Sequence, residues 1–208
     1  HRTSLLKSLG LDSNSGNYEP LKEIKSEIIE CLSATSSALL LDLEVGLPIY
    51  LGSEISRNSG LIVSIEKSGY KGSKNLRKSE LLPGWDLKKS IRLGVDGIKL
   101  LVYYHPEAKN KQYIESLISK VVEQSNIYEL PLFLEIVTYS IDSGLRLVGK
   151  ERTDVILKSV QILSRLGPDV IKVQFPFDID LKDKIGWNQA CEDLSSVSRS
   201  PWVLLSES

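Results

Sequence analysis

The stretch DVIKVQFP, residues 169 to 176, sets Lys172 in the middle of a run that otherwise reads as a buried strand. Burying an ammonium favours the neutral amine, so such a lysine is costly unless it is paired or used. The same cost can make a nucleophile, because an amine brought toward neutrality by desolvation and a second nearby cation can attack a ketone and form a Schiff base. Lys99 in DGIKLLVYY and Glu135 in PLFLEIVTY occupy similar places in two further apolar runs. Two readings follow from the spacing: an amine nucleophile with a carboxylate and a second cation beside it, or a buried Lys99–Glu135 pair with Lys172 snorkelling toward the strand ends. Spacing alone leaves both open.

The elements that must position these residues are legible as an alternation. Expected strands are ALLLD (38 to 42), GLIVSIE (60 to 66), DGIKLLVYY (96 to 104), PLFLEIVTY (131 to 139), DVIKVQF (169 to 175) and PWVLLS (201 to 206). Helix-like segments alternate with them: PLKEIKSEIIECLSATSS, LGSEISRNS, WDLKKSIRLG, YIESLISKVVEQSN, RTDVILKSVQILSRLG and WNQACEDLSSVS. Strand, helix, strand with these spacers is the pattern of parallel βαβ units. No GxGxxG or P-loop follows a strand, and polar residues recur at one position in strand after strand. Both features favour an α/β (β/α)8 TIM barrel over a doubly wound sheet.

Side chains alternate faces along a strand, which gathers Asp42, Glu66, Lys99, Glu135, Lys172, Gln174, Leu204 and Ser206 on the inward face. Leu39, Leu41, Val63, Ile65, Ile98, Leu100, Val102, Leu134, Ile136, Ile171, Val173 and Phe175 are left to pack beneath helices. Asp42, Glu66 and Gln174 are therefore expected to contact substrate near the lysines.

Bulk properties bound the function. With 208 residues, 41% hydrophobic and 25% charged, one domain spanning 1 to 208 is expected. A net charge of −1 gives no global pull toward nucleic acid or an anionic membrane, and no apolar run approaches a membrane span. Cys31 and Cys191 have neither CxxC nor zinc-ligand spacing, which suits free thiols in a cytoplasmic protein without a metal. The chain starts at His1 and contains no Met, so it is expected to be incomplete.

GLIVSIEKSGY, GIKLLVYY, LFLEIVTY and DVIKVQFP, in this order and at these separations, resemble the class I tagatose 1,6-bisphosphate aldolase family, which also contains sulfofructosephosphate aldolases. The resemblance implies metal-independent aldol cleavage of a ketose bisphosphate to dihydroxyacetone phosphate and glyceraldehyde 3-phosphate through an enzyme-bound imine, with no other cofactor. It implies that Lys172 forms the imine, Glu135 carries protons and Lys99 orients substrate oxygens. The family's Asp-Gln-Arg segment corresponds to the region of His1 and Arg2, which makes Arg2 either a phosphate contact or a solvated arginine. Ser206 matches a phosphate-contacting serine, whereas Ser208 stands where the family has glycine. The family's first-strand aspartate and its eighth strand are expected to lie outside the recorded chain. Gln174 stands where the family commonly has glutamate.

The segment KSGYKGSKNLRKSELLPGW, residues 67 to 85, reads either as a phosphate-steering lid or as a solvated basic loop. His105 reads as a loop histidine. Two rivals to a tagatose-bisphosphate aldolase remain: a sulfofructosephosphate aldolase, and a non-catalytic barrel that senses sugar phosphates. The expected partner in every case is a small sugar phosphate, and assembly with further copies of the chain is left open.

Overall fold

The computed structural model describes residues 19–53, 59–177 and 184–206, which fall into two compact units, His1–Val63 and Ser64–Ser208. In the first unit, helix α1 (Glu19–Ser33) leads into strand β1 (Ala38–Asp42), helix α2 (Gly46–Gly52) and strand β2 (Gly60–Ser64), which crosses the boundary by one residue. Leu39 and Leu41 are buried in β1 while Leu40 is exposed, as the alternation requires. The helix expected over LGSEISRNS lies earlier, at Gly46–Gly52; residues 54 to 58 of that stretch lie outside the described residues. Its start is set by Asp42, whose carboxylate accepts the N–H groups of Val45 (2.8 Å) and Gly46 (3.3 Å), and by Pro48, which a first helical turn tolerates.

Asp42 also pairs with Lys25 of α1. Burial pushes its carboxyl pKa up, but the hydrogen bond and charge of Lys25 and the two backbone N–H groups outweigh burial and hold it below the ordinary value. A carboxyl depressed on folding adds stability that is fully present above its unfolded pKa of about 4 and is lost as the pH falls through the folded value. The urea midpoint of the wild-type protein should therefore fall more than that of Asp42→Asn between pH 5 and pH 3. Parallel acid profiles for the two proteins would contradict this.

The second unit carries the candidate chemistry. Its sheet is parallel, in the order β5 (Gly97–Tyr104), β6 (Leu132–Thr138), β7 (Val170–Val173), β8 (Trp202–Leu204). Helices α4 (Lys111–Tyr128), α5 (Gly149–Leu163) and α6 (Lys184–Val197) form the successive crossovers. In α4, Ile114, Ile118, Val121, Val122 and Ser125 are buried, and in α5 Val155, Ile156, Ser159, Val160 and Leu163 are, each set tracing one helical stripe. Beneath them Ile98, Leu100, Val102, Leu132, Leu134, Ile136, Ile171 and Val173 are all fully buried. Apart from Leu132, these residues are the ones expected from the sequence in this layer. Asp169 ties two strand starts together by accepting the Leu132 N–H at 2.8 Å.

Register sets the other face. Lys99 pairs with Phe133 and Phe133 with Val170; one rung higher, Leu101 pairs with Glu135, Glu135 with Lys172, and Lys172 with Val203. Partnered residues of parallel strands share a face, so Val203 stands on the Lys172 side and Leu204 on the Val173 side. This corrects the expectation that Leu204 faces inward, since a one-residue shift of register turns over every side chain of a strand. Trp202–Leu204 is too short to fix its parity from pattern alone.

Between the first turn of this unit and α3 (Leu87–Arg92), the basic segment forms an antiparallel hairpin, β3 (Lys71–Ser73) and β4 (Leu76–Lys78), that the sequence reading treated as loop. Glu66 bridges Leu81 at its base, and Lys67 N–H donates to Glu80 O at 2.8 Å. Gly144, in the loop after β6, has φ +68 and backs onto Lys74 of the hairpin turn: a Cβ there would stand 2.7 Å from the Lys74 carbonyl carbon and 2.9 Å from its oxygen. Gly144→Ala should therefore cost about 1–3 kcal/mol, from the left-handed backbone and the enforced separation of loop and hairpin together. A lowered urea midpoint at unchanged m would register it.

Candidate active site

Lys99, Glu135 and Lys172 come from adjacent strands of one parallel sheet, and the chain leaving β2 brings Glu66 to them. That last segment is held in line by Ile65 N–H, which donates to Lys99 O at 2.9 Å. The four charges alternate. Lys99 Nζ pairs closely with Glu66 Oε1 and lies 3.7 Å from Glu135 Oε2, while Lys172 Nζ lies 3.2 Å from that same Oε2.

Exposure separates the two lysines. The Lys99, Glu66 and Glu135 side chains are 8%, 10% and 9% exposed, whereas Lys172 is 25% exposed. Lys99 is locked between two carboxylates, as a fixed charge should be. Lys172 has a single carboxylate neighbour among the described residues and an amine that solvent, and so a small ligand, can reach. Glu66 has both oxygens engaged, Oε1 on Lys99 and Oε2 on the Leu101 N–H at 3.1 Å. It therefore takes Lys99 as its own partner and leaves Glu135 closest to Lys172. The buried pair expected between Lys99 and Glu135 is thus the longer of the two contacts that Lys99 makes.

The remaining predicted residues divide. Gln174 is buried at the end of β7, where its Oε1 accepts from both the N–H (2.8 Å) and the Oγ1 (2.7 Å) of Thr138, tying the ends of β6 and β7 together. Asp42 lies in the first unit with its carboxylate engaged by Lys25, Val45 and Gly46. Ser206 is exposed, beyond the last residue of β8. Arg2 lies outside the described residues. His105 lies in the loop after β5, as expected, and is buried there, its Nδ1 accepting the Glu107 N–H at 3.1 Å.

The hairpin adds a feature that charge counting does not show. The Arg77 guanidinium sits against three tyrosine rings, with its central carbon 4.8 Å from the centroid of Tyr70, 5.3 Å from Tyr103 and 4.7 Å from Tyr139. It also donates to Lys74 O at 2.9 Å and to Gly144 O at 2.7 Å, bolting the hairpin to the loop after β6. Each cation–π contact of this kind is worth about 0.5–2 kcal/mol. Lys71 pairs with Glu80 at 2.8 Å and Lys78 lies over the Tyr113 ring, so three of the five basic residues in this segment are engaged in holding it in place. Tyrosines at 70, 103 and 139 around a basic run were the available signal for this cage, but their separations of 33 and 36 positions hid it.

Comparison with known proteins supplies the rest. The family model described as "DeoC/LacD family aldolase" matches residues 2–199. A tagatose 1,6-diphosphate aldolase 2 of Streptococcus agalactiae is 29% identical over 175 residues, covering 81% of this chain and 53% of that protein. A tagatose 1,6-diphosphate aldolase 1 of Enterococcus faecalis is 31% identical over 179 residues, with the same two shares. The chain thus spans about half the length of these curated relatives. Among solved structures, an archaeal fructose-1,6-bisphosphate aldolase with its catalytic Lys covalently bound to the carbinolamine intermediate matches with a TM-score of 0.58 at 13% identity, over 89% of this chain and 66% of that one. The protein Cgl0159 of Corynebacterium glutamicum matches with a TM-score of 0.64 at 16% identity, over 94% and 62%. These likenesses show a (β/α)8-barrel-like fold. With the family model spanning nearly its whole length, the chain belongs to the DeoC/LacD family of aldolases.

Proposed function

We propose that this chain carries the catalytic residues of a class I aldolase that cleaves a ketose phosphate through an imine on Lys172. The observation that carries the reading is the accessible Lys172 amine 3.2 Å from a buried carboxylate, Glu135, which a second buried lysine also approaches. Such an arrangement has a use for each member in aldol cleavage. Lys172 Nζ attacks the C2 carbonyl to give a carbinolamine, which loses water to form the iminium. A base takes the C4 hydroxyl proton, the C3–C4 bond breaks, and its electron pair flows into the iminium to leave an enamine. Protonation at C3 and hydrolysis then release the three-carbon ketone phosphate and restore the free amine. Glu135 is the group placed to carry these protons, and Lys99, fixed by Glu66, supplies a localised positive charge for substrate oxygens.

In this reading the iminium is the electron sink, so the reaction uses no metal ion. Relatives named as tagatose 1,6-diphosphate aldolases support tagatose 1,6-bisphosphate as substrate, with dihydroxyacetone phosphate and glyceraldehyde 3-phosphate as products. Free Cys31 and Cys191, the former exposed, support a cytoplasmic setting. Among the described residues, no helix is long and apolar enough to cross a membrane.

Borohydride reduction in the presence of dihydroxyacetone phosphate tests the mechanism. The reduced substrate mass should appear on the peptide containing Lys172, and a protein that turns over substrate without any adduct would refute it. Cleavage rates on tagatose 1,6-bisphosphate and on sulfofructose phosphate, measured on the same preparation, decide between a phosphate and a sulfonate at the far end of the substrate.

A further inference from the structure

We propose that Tyr103 is a further substrate-contacting residue, its phenol donating a hydrogen bond to a hydroxyl of the sugar chain bound at Lys172; this rests on the aldolase reading above.

Alternation along β5 puts Tyr103 on the face of Lys99 and Leu101, and register sets it opposite Val137, one rung beyond the Leu101–Glu135–Lys172 row toward the strand ends. One rung is two residues, roughly 6–7 Å along the strand. Tyr103 also stands two strands, about 10 Å, from Lys172 across the sheet, so its long side chain would meet the far part of a sugar phosphate whose C2 is held at that amine. The hydroxyl has no hydrogen-bond partner among the described residues, whereas Lys99, Glu66, Glu135 and Lys172 are each engaged in a hydrogen bond or an ion pair.

Two contacts hold the ring and a third fixes the backbone that carries it. Tyr70 packs edge-on to it at 5.0 Å between centroids, the Arg77 guanidinium lies against it at 5.3 Å, and its own backbone N–H is fixed by Ser79 Oγ at 3.0 Å. A phenol so held and left unpartnered, on the face of Lys99 and within reach of the charges of Glu135 and Glu66, is preorganised for a ligand oxygen. Burial raises its pKa; Arg77 lowers it, and Tyr70, Glu135 and Glu66 add to the rise. The hydroxyl is consequently a neutral donor across the working pH range, not an acid or base. Sugar hydroxyls, which accept as well as donate, are the complementary chemistry.

Tyr103→Phe removes only the hydroxyl and keeps the ring that Tyr70 and Arg77 hold. Cleavage kcat/KM on tagatose 1,6-bisphosphate should fall about 10- to 100-fold, as for loss of one hydrogen bond inside a site built to make it. Melting temperature and the yield of borohydride adduct on Lys172 with dihydroxyacetone phosphate should stay at the wild-type level. Equal kcat/KM in the two proteins, with the adduct in both, would overturn the contact alone. A loss explained by a lower melting temperature would overturn it too, since the residue would then serve packing. Absence of adduct in the wild-type protein would remove the imine reading and this contact with it.

Discussion

Lys172→Met should leave a folded protein that forms no borohydride adduct and cleaves ketose phosphate at least about a thousandfold more slowly, which corresponds to roughly 4 kcal/mol of lost barrier reduction. Methionine keeps the length and apolar stem of lysine, so what remains of the strand can pack as before. The neighbours tolerate the change electrostatically: Glu135 retains Lys99 at 3.7 Å, and Lys99 retains its close pair with Glu66. No buried charge is stranded. The melting temperature should accordingly move little, and loss of activity can be assigned to the missing nucleophile. The sharpest measurement is peptide mapping after reduction. An adduct transferred to Lys99 would mean that the wrong amine was assigned, whereas residual turnover within tenfold of the wild-type protein would mean that no imine lies on the path. Lys99 is an implausible substitute because it is 8% exposed and clamped by two carboxylates, while Lys172 is 25% exposed with one.

The sequence carried the strands and the face pattern well because each rests on a local rule. All six expected strands lie within a residue or two of those found, and the apolar layer beneath the helices follows from the alternation of Ile98, Leu100 and Val102 and of Leu134 and Ile136. Lys99, Glu135 and Lys172 could be placed together because parity plus neighbouring strands is nearly enough to fix a row. What was not legible depended on register or on distant contacts. Leu204 was assigned to the wrong face because three residues of β8 cannot declare their own register. The hairpin at Lys71–Ser73 and Leu76–Lys78 has no apolar alternation; its strands are exposed and are held through Arg77 by tyrosines from three separate parts of the chain. Glu66 could be read as an inward carboxylate, yet its role as the close partner of Lys99 needed the pairing of Ile65 N–H with Lys99 O, which sequence alone does not declare.

That partnership makes Glu135 the decisive second test. Its Oε2 lies 3.2 Å from Lys172 and 3.7 Å from Lys99, so one carboxylate oxygen stands between two ammonium groups. Glu135→Gln keeps the shape, replaces that anionic oxygen with a neutral amide and removes the ionisable proton carrier. If Glu135 moves protons in the reaction, kcat should fall about 10²- to 10⁴-fold with a smaller change in KM, because the loss falls on the transition state. Slow trapping on Lys172 should persist, since the amine is untouched. Stability should also drop, because two lysines then face each other across a neutral group in a site that is mostly shielded from water. The two consequences separate the readings. A purely structural ion pair predicts lower melting temperature with kcat near the wild-type value once the protein is folded. A proton carrier predicts that kcat stays low even where added salt or a lower assay temperature restores the folded fraction to that of the wild-type protein. Retention of kcat within threefold under those conditions would reduce Glu135 to a counter-charge and leave the proton transfers of the aldol step to be sought elsewhere in the site.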